Sequence, residues 1–104
     1  SFEQAYGYIP ALYAAHGYDA AKLIDASIKA AGGVKDKAKL LAAMKSAPFK
    51  SVRGAFKFNT NQFPIQDFYL VQVAKRADGK FQTETREKIF TAYGDVYAKD
   101  CPMK

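Results

Sequence analysis

The chain has 104 residues, 49% hydrophobic and 14% aromatic, which is enough apolar material for one small core and too much for a disordered segment. Its formal charge of +6 comes from sixteen basic residues spread over the whole length. No run of five or six forms the stripe that a nucleic-acid or anionic-membrane surface needs, so a solvated basic surface is the default, and no apolar run approaches the roughly 18 residues of a spanning helix.

The opening Ser1-Phe2-Glu3-Gln4-Ala5-Tyr6 lacks an initiator methionine and a signal-sequence pattern, and it reads as the last turn of a helix, which points to a piece of a longer protein. After a short aromatic connection, the stretch from Pro10 to Gly33 reads as one capped, amphipathic helix. Tyr13, Gly17, Ala20, Ile24, Ile28 and Ala31 recur at three- and four-residue spacing and predict a packed face. Asp19, Lys22, Asp25 and Lys29 predict a wetted one, with Asp25 and Lys29 in the favourable i,i+4 order. Pro10 lies where a helix can begin, and Gly32-Gly33 where it must end, because glycine takes the left-handed cap conformation at little cost. Asp36 as N-cap, followed by Leu40, Leu41 and Met44, predicts a second helix closed by Pro48 and packed nearly antiparallel on the first.

From Ser51 the period changes. Phe56 and Phe58 alternate with Ala55 and Lys57, as in a half-buried strand. Asn59-Thr60-Asn61-Gln62 before Pro64 is a turn whose side chains can bond their own backbone. Phe68 to Ala74 is a second strand, its nearly continuous apolar character predicting a covered sheet position. Ala77-Asp78-Gly79-Lys80 is a hairpin turn, and Lys80 to Thr83 pairs back. Ile89, Phe90, Tyr93, Val96 and Tyr97 then recur with helical spacing and predict a short terminal helix. The expected order is helix, helix, strand, strand, strand, helix.

Enzyme motifs are missing: there is no glycine-rich phosphate loop, Cys-x-x-Cys, two-histidine metal pair or Gly-x-Ser-x-Gly elbow, so no catalytic residue, cofactor or metal ligand is assigned. Cys101 is a lone cysteine, either an idle thiol or, in an exported protein, one half of a pair. Asp19 lies three residues after His16, close enough to orient it, although a local polar contact is the commoner arrangement. Tyr13 and His16 stand one turn apart at the start of the long helix. A tyrosine there is either an ordinary packing residue or an apolar face with a polar tip, offered to a small ligand in a cleft.

Five pieces carry a family resemblance: Tyr6-Gly7 with Pro10, the run Tyr13 to Ala21, the Ala30-Ala31-Gly32-Gly33 cap, Arg53-Gly54-Ala55-Phe56-Lys57-Phe58-Asn59, and Gln66-Asp67-Phe68-Tyr69. In order and spacing they resemble the C-terminal part of type I periplasmic substrate-binding proteins of ABC importers, in the branched-chain amino-acid-binding branch. The resemblance implies an α/β fold, the C-terminal portion of a two-lobe, Venus-flytrap architecture. Residues 1–58 would form part of the first lobe, 59–67 a hinge crossing, and 68–104 part of the second lobe. It further implies a periplasmic, non-enzymatic protein that captures a small amino acid or aromatic acid between closing lobes and delivers it to a membrane permease. Tyr13 falls on the family's aromatic ligand-contact position, and His16 is a second candidate by proximity. The groups that usually clasp the ligand's carboxylate and ammonium lie upstream. Cys101 resembles a cysteine that some relatives carry, and the resemblance leaves its pairing open. Two partial lobes would expose sheet edges, so association between copies is expected. The alternative from another class is a free-standing basic α/β module that binds nucleic acid through its lysines.

Overall fold

A computed structural model describes residues 1–46 and 48–101. Three helices, α1 (Phe2–Tyr6), α2 (Leu12–Ala31) and α3 (Lys37–Ser46), precede three strands, β1 (Phe56–Phe58), β2 (Pro64–Lys75) and β3 (Phe81–Tyr93), and a 3-10 turn at Ala98–Asp100. The strands form one antiparallel sheet in the order β1-β2-β3. This is the α/β class that the sequence predicts.

Local chemistry accounts for the helix limits. Ser1 and Gln4 form a capping box on α1. The α2 helix starts from extended Ala11 behind Pro10 and stops at Gly32, whose φ of 73° is left-handed. There the Gly32 N–H donates to Lys29 O and the Gly33 N–H to Ile28 O, so two otherwise orphaned carbonyls are satisfied. Asp36 caps α3: its Oδ1 accepts from the Lys39 N–H at 3.0 Å. The α3 helix packs against α2 and touches β1, and β1 in turn pairs with the front of β2.

Three expectations are corrected. The terminal helix does not form: β3 runs on to Tyr93, and only the single 3-10 turn follows. Its apparently helical spacing arises because β2 and β3 slip register between Gln66 and Phe68, Phe68 and Tyr69, and Leu70 and Val71, which breaks the two-residue alternation of Ile89, Phe90 and Tyr93. Asp67 holds this irregular end by accepting the Ala92 N–H at 2.8 Å, with Ala92 at φ 50°. A Cβ on Gly94 would lie 3.0 Å from Asn59 Nδ2 and 3.2 Å from Ile65 Cγ1, so the chain leaves β3 through a close approach that a larger residue would make only by displacing those side chains.

The faces of α2 are also rotated from the expected ones. Its buried residues are Asp19 and Ser27, whereas Ile24 is 50% exposed and Tyr13 83% exposed. Lys22, Asp25 and Lys29 do face water, and the Asp25–Lys29 pair closes at 2.8 Å. Asn59–Phe63 form a tight turn, and β2 begins at Pro64. The Phe68–Val73 stretch of β2 is exposed rather than covered.

Among the described residues no apolar side chain is fully buried. The radius of gyration is 16.8 Å, whereas a compact domain of this length has about 13 Å. A layer 16 Å thick in its shortest dimension leaves the apolar faces of helix and sheet open to solvent.

Candidate functional site

A buried polar cluster lies where the first half of α2 meets the segment before β1. Asp19 is 7% exposed and anchors it. Its Oδ2 accepts from the Ser51 hydroxyl at 2.6 Å and its Oδ1 from the Val52 N–H at 3.0 Å. Ser51 Oγ accepts in turn from the Arg53 N–H at 3.0 Å. A buried carboxylate is tolerated here because each oxygen has a donor. Its effect is to pin residues 51–53 to the helix.

That tie positions Arg53. Its Nε lies 3.7 Å from Asp19 Oδ2 and is buried without a hydrogen bond, while Nη1 stands 2.9 Å from His16 Nε2. A guanidinium has no acceptor, so Arg53 donates and the imidazole presents its lone pair at Nε2. Asp19 therefore does not orient His16 directly; it acts on it through Arg53. The ring of Tyr13 meets His16 edge-on, with centroids 6.3 Å apart. Tyr13, His16, Arg53 and Asp19 thus form a continuous row from exposed aromatic to buried carboxylate.

The row borders concave surface. A cavity of about 490 Å³ opens between the first turns of α2 and the front of β2, lined by Leu12, His16, Arg53, Gln66, Phe68 and Val71 among others. A second, of about 440 Å³, shares His16, Arg53 and Gln66 and adds Leu23, Phe49 and Phe56. Both fall within the range of small-molecule sites, which combine apolar walls with a few fixed polar groups. A larger concavity of about 660 Å³, between Pro10–Leu12 and the outer parts of β2 and β3, is lined without a charged side chain and has less to orient a polar ligand.

A second cluster closes the far wall. Asp67 Oδ2 accepts from Lys88 Nζ and from the Tyr69 hydroxyl, and Oδ1 from the Ala92 N–H. The Lys88 hydrogen bond first, then that of Ala92, hold the Asp67 carboxyl below the usual carboxylate value, against an opposing effect of burial. The Asp67 hydrogen bond raises Lys88 correspondingly.

The two residues singled out from sequence, Tyr13 and His16, are brought together at one end of this row. Sequence reasoning did not single out Arg53 and Asp19 as site residues. The signal available was the Arg53-Gly54 piece of the motif series, which does not reveal a contact 32 to 37 residues away. Cys101 is exposed with a free thiol, and no group of three or more potential metal ligands occurs among the described residues.

A family model described as "Periplasmic binding protein" matches residues 1–80, a span that includes the whole row, β2 and the hairpin turn. No curated protein and no solved structure matches the chain.

Proposed function

The chain belongs to the periplasmic binding protein family, whose role is solute binding, and on that premise we propose that it serves as the solute-binding component of an ABC importer, capturing a small amino acid or aromatic acid. The observation that carries this reading is the Tyr13–His16–Arg53 row, of which His16 and Arg53 line an apolar cavity between α2 and β2. A tyrosine 83% exposed on the first turn of a long helix contributes little to packing in this chain. Its ring supplies a flat apolar surface for a ligand, and the adjoining polar groups supply orientation.

In this proposal α2, α3 and β1 belong to one lobe, β2 and β3 to the other, and the 59–67 stretch crosses between them. Glu3 accepts from Arg76 Nη1 through both carboxylate oxygens, at 3.1 and 3.0 Å, and Lys80 Nζ donates to Gly7 O at 3.3 Å. Those bonds favour attaching α1 to the hairpin lobe rather than to the first lobe, which makes Tyr8–Ala11 a further crossing. Closure would then rotate the Tyr13 end of α2 toward β2. The family implies an extracytoplasmic location and a small-molecule ligand; the periplasm and a membrane permease are the setting that the importer reading adds.

No observation favours the nucleic-acid alternative. Lys29, Lys39, Arg53, Arg76, Lys80, Arg86 and Lys88 are each within ion-pair distance of an acidic side chain, which breaks up any basic stripe.

The test is a thermal-shift panel of proteinogenic amino acids and of benzoate and cinnamate derivatives, run on the intact protein. At least one compound should raise the melting temperature in a concentration-dependent way. A panel with no hit sinks the proposal.

A further inference from the structure

We infer that Gln66 selects a hydroxyl group on the body of the bound solute. This inference rests on the solute-binding reading and extends it to a named contact and a ligand chemistry. Gln66 lies on β2 opposite Phe56 of β1 and Tyr93 of β3, so its side chain projects from the same face of the sheet as theirs. It lines both cavities that border α2, those of about 490 and 440 Å³. The other polar side chains on those walls are engaged with protein partners. His16 Nε2 stands 2.9 Å from Arg53 Nη1, Asp19 accepts from Ser51 and Val52, and Asp67 accepts from Lys88, Tyr69 and Ala92. Among the described residues the Gln66 amide alone of this set has no hydrogen-bond partner, although the side chain is half-buried.

Much of the wall around that amide is apolar. Phe49 and Phe56, whose rings meet edge-on with centroids 5.4 Å apart, wall the second cavity with Leu23. Phe68, whose ring meets that of Tyr93 at 5.9 Å, walls the first with Leu12 and Val71. A carboxamide offers two N–H donors and an acceptor oxygen, and a hydroxyl both donates and accepts, so the two groups can pair in either sense. While the cavity is open, water satisfies the amide. Once closure expels that water, a solute with only hydrocarbon at this point leaves the amide unpaired, and the penalty of the unmade bond falls on the wrong solute alone. The amide is neutral, so it reads the body of the solute and leaves the charged head to other groups. The complementary solute is an acid whose apolar or aromatic body carries a hydroxyl.

The experiment measures, by calorimetry on the intact protein, the affinities of two pairs of acids that differ by one hydroxyl: 4-hydroxybenzoate with benzoate, and L-tyrosine with L-phenylalanine. The inference expects at least one hydroxylated acid to bind more tightly than its partner by about fivefold or more, the difference that one neutral hydrogen bond supplies. Charge is the same within a pair, so the ratio isolates the hydroxyl. Gln66→Met keeps the length of the side chain and removes the amide. In it the ratio should collapse to about one, because the hydroxylated acid weakens while its partner holds or tightens. The melting temperature of the free variant should not fall, since no hydrogen bond within the protein is lost. Pairs bound equally by the unaltered protein overturn the inference and leave the solute-binding reading standing. So does a ratio that survives in Gln66→Met. A variant in which both members weaken together, or which melts lower or fails to fold, also overturns it, because that marks an amide serving the fold. If none of the acids binds the unaltered protein, the inference falls, and the panel above decides the broader reading separately.

Discussion

Replacing Asp19 by alanine is the perturbation whose cost the structure specifies best. The substitution removes a charged acceptor from the Ser51 hydroxyl at 2.6 Å and the Val52 N–H at 3.0 Å, and takes the countercharge from Arg53 Nε at 3.7 Å. A hydrogen bond to a charged group contributes about 1.5–3 kcal/mol, and a buried donor left without a partner costs a similar amount. Ser51 is 8% exposed and cannot turn to water, so its full share applies. The Val52 side chain is exposed and Arg53 only half-buried, so their groups recover part of theirs through solvent. The expected loss is about 3 kcal/mol for Asp19→Ala and about 1–2 kcal/mol for Asp19→Asn, which keeps one acceptor oxygen. Asp25→Ala on the exposed flank of the same helix provides the comparison, since its pair with Lys29 is solvent-facing and worth about 0.3–0.5 kcal/mol. Urea unfolding of the intact protein by circular dichroism reads each value as a shift in midpoint at constant m. If Asp19→Ala costs no more than Asp25→Ala, the idea that Asp19 fastens residues 51–53 to α2 is wrong.

Tyr13→Ala should weaken binding of a panel hit by about tenfold or more, as for a central aromatic contact, while leaving the melting temperature of the free protein unchanged because the ring is 83% exposed. Unchanged affinity together with a lower melting temperature would return Tyr13 to a packing role. For Asp67, the folded-state pKa lies below the unfolded value, so its contribution is present above about pH 4 and is lost as pH falls through the lower, folded value. The stability gap between the protein and Asp67→Asn should therefore be flat near neutrality and shrink below about pH 4. Lys88, whose pKa is raised, acts in the opposite sense: its contribution is complete below about pH 10 and is lost in stronger alkali. A gap that persists unchanged into acid contradicts the assignment. The 104-residue chain by itself should associate, because the outer edge of β3, and that of β2 beyond the three residues paired with β1, are unpaired among the described residues. Light scattering should show mass rising with concentration, and titration with 4-hydroxybenzoate or L-leucine should give no heat. A monodisperse monomer that binds either compound contradicts both expectations.

Signals that act within a few residues are legible in the sequence. The Gly32-Gly33 stop, the Asp36 cap, the Asp25–Lys29 pair and the Asp78-Gly79 turn each depend on neighbours at most a turn away, and each has the predicted geometry. The ordered motif pieces identified the family for the same reason, since each is a local constraint kept in sequence order. Periodicity misled where an element's surroundings, not its own pattern, set its state. Ile89, Phe90 and Tyr93 fit a helix on paper, but β2 offers a strand to pair with, and three register slips let an irregular apolar pattern lie on a sheet.

Tyr13 and His16 were legible as candidates because an aromatic and a titratable residue one turn apart at a helix start are visible in a line of text. What joins them to a site was not. By itself the sequence determined the α/β class, the length and ends of α2, the hairpin and the family. Tertiary structure alone decided that Asp19 turns inward, that Ser51 and Val52 come to meet it, and that Arg53 is thereby held against His16 at the edge of a cavity. A carboxylate among lysines reads as wetted in sequence; it becomes buried only when donors from 32 and 33 residues away satisfy both its oxygens, and those distances exist only in the fold.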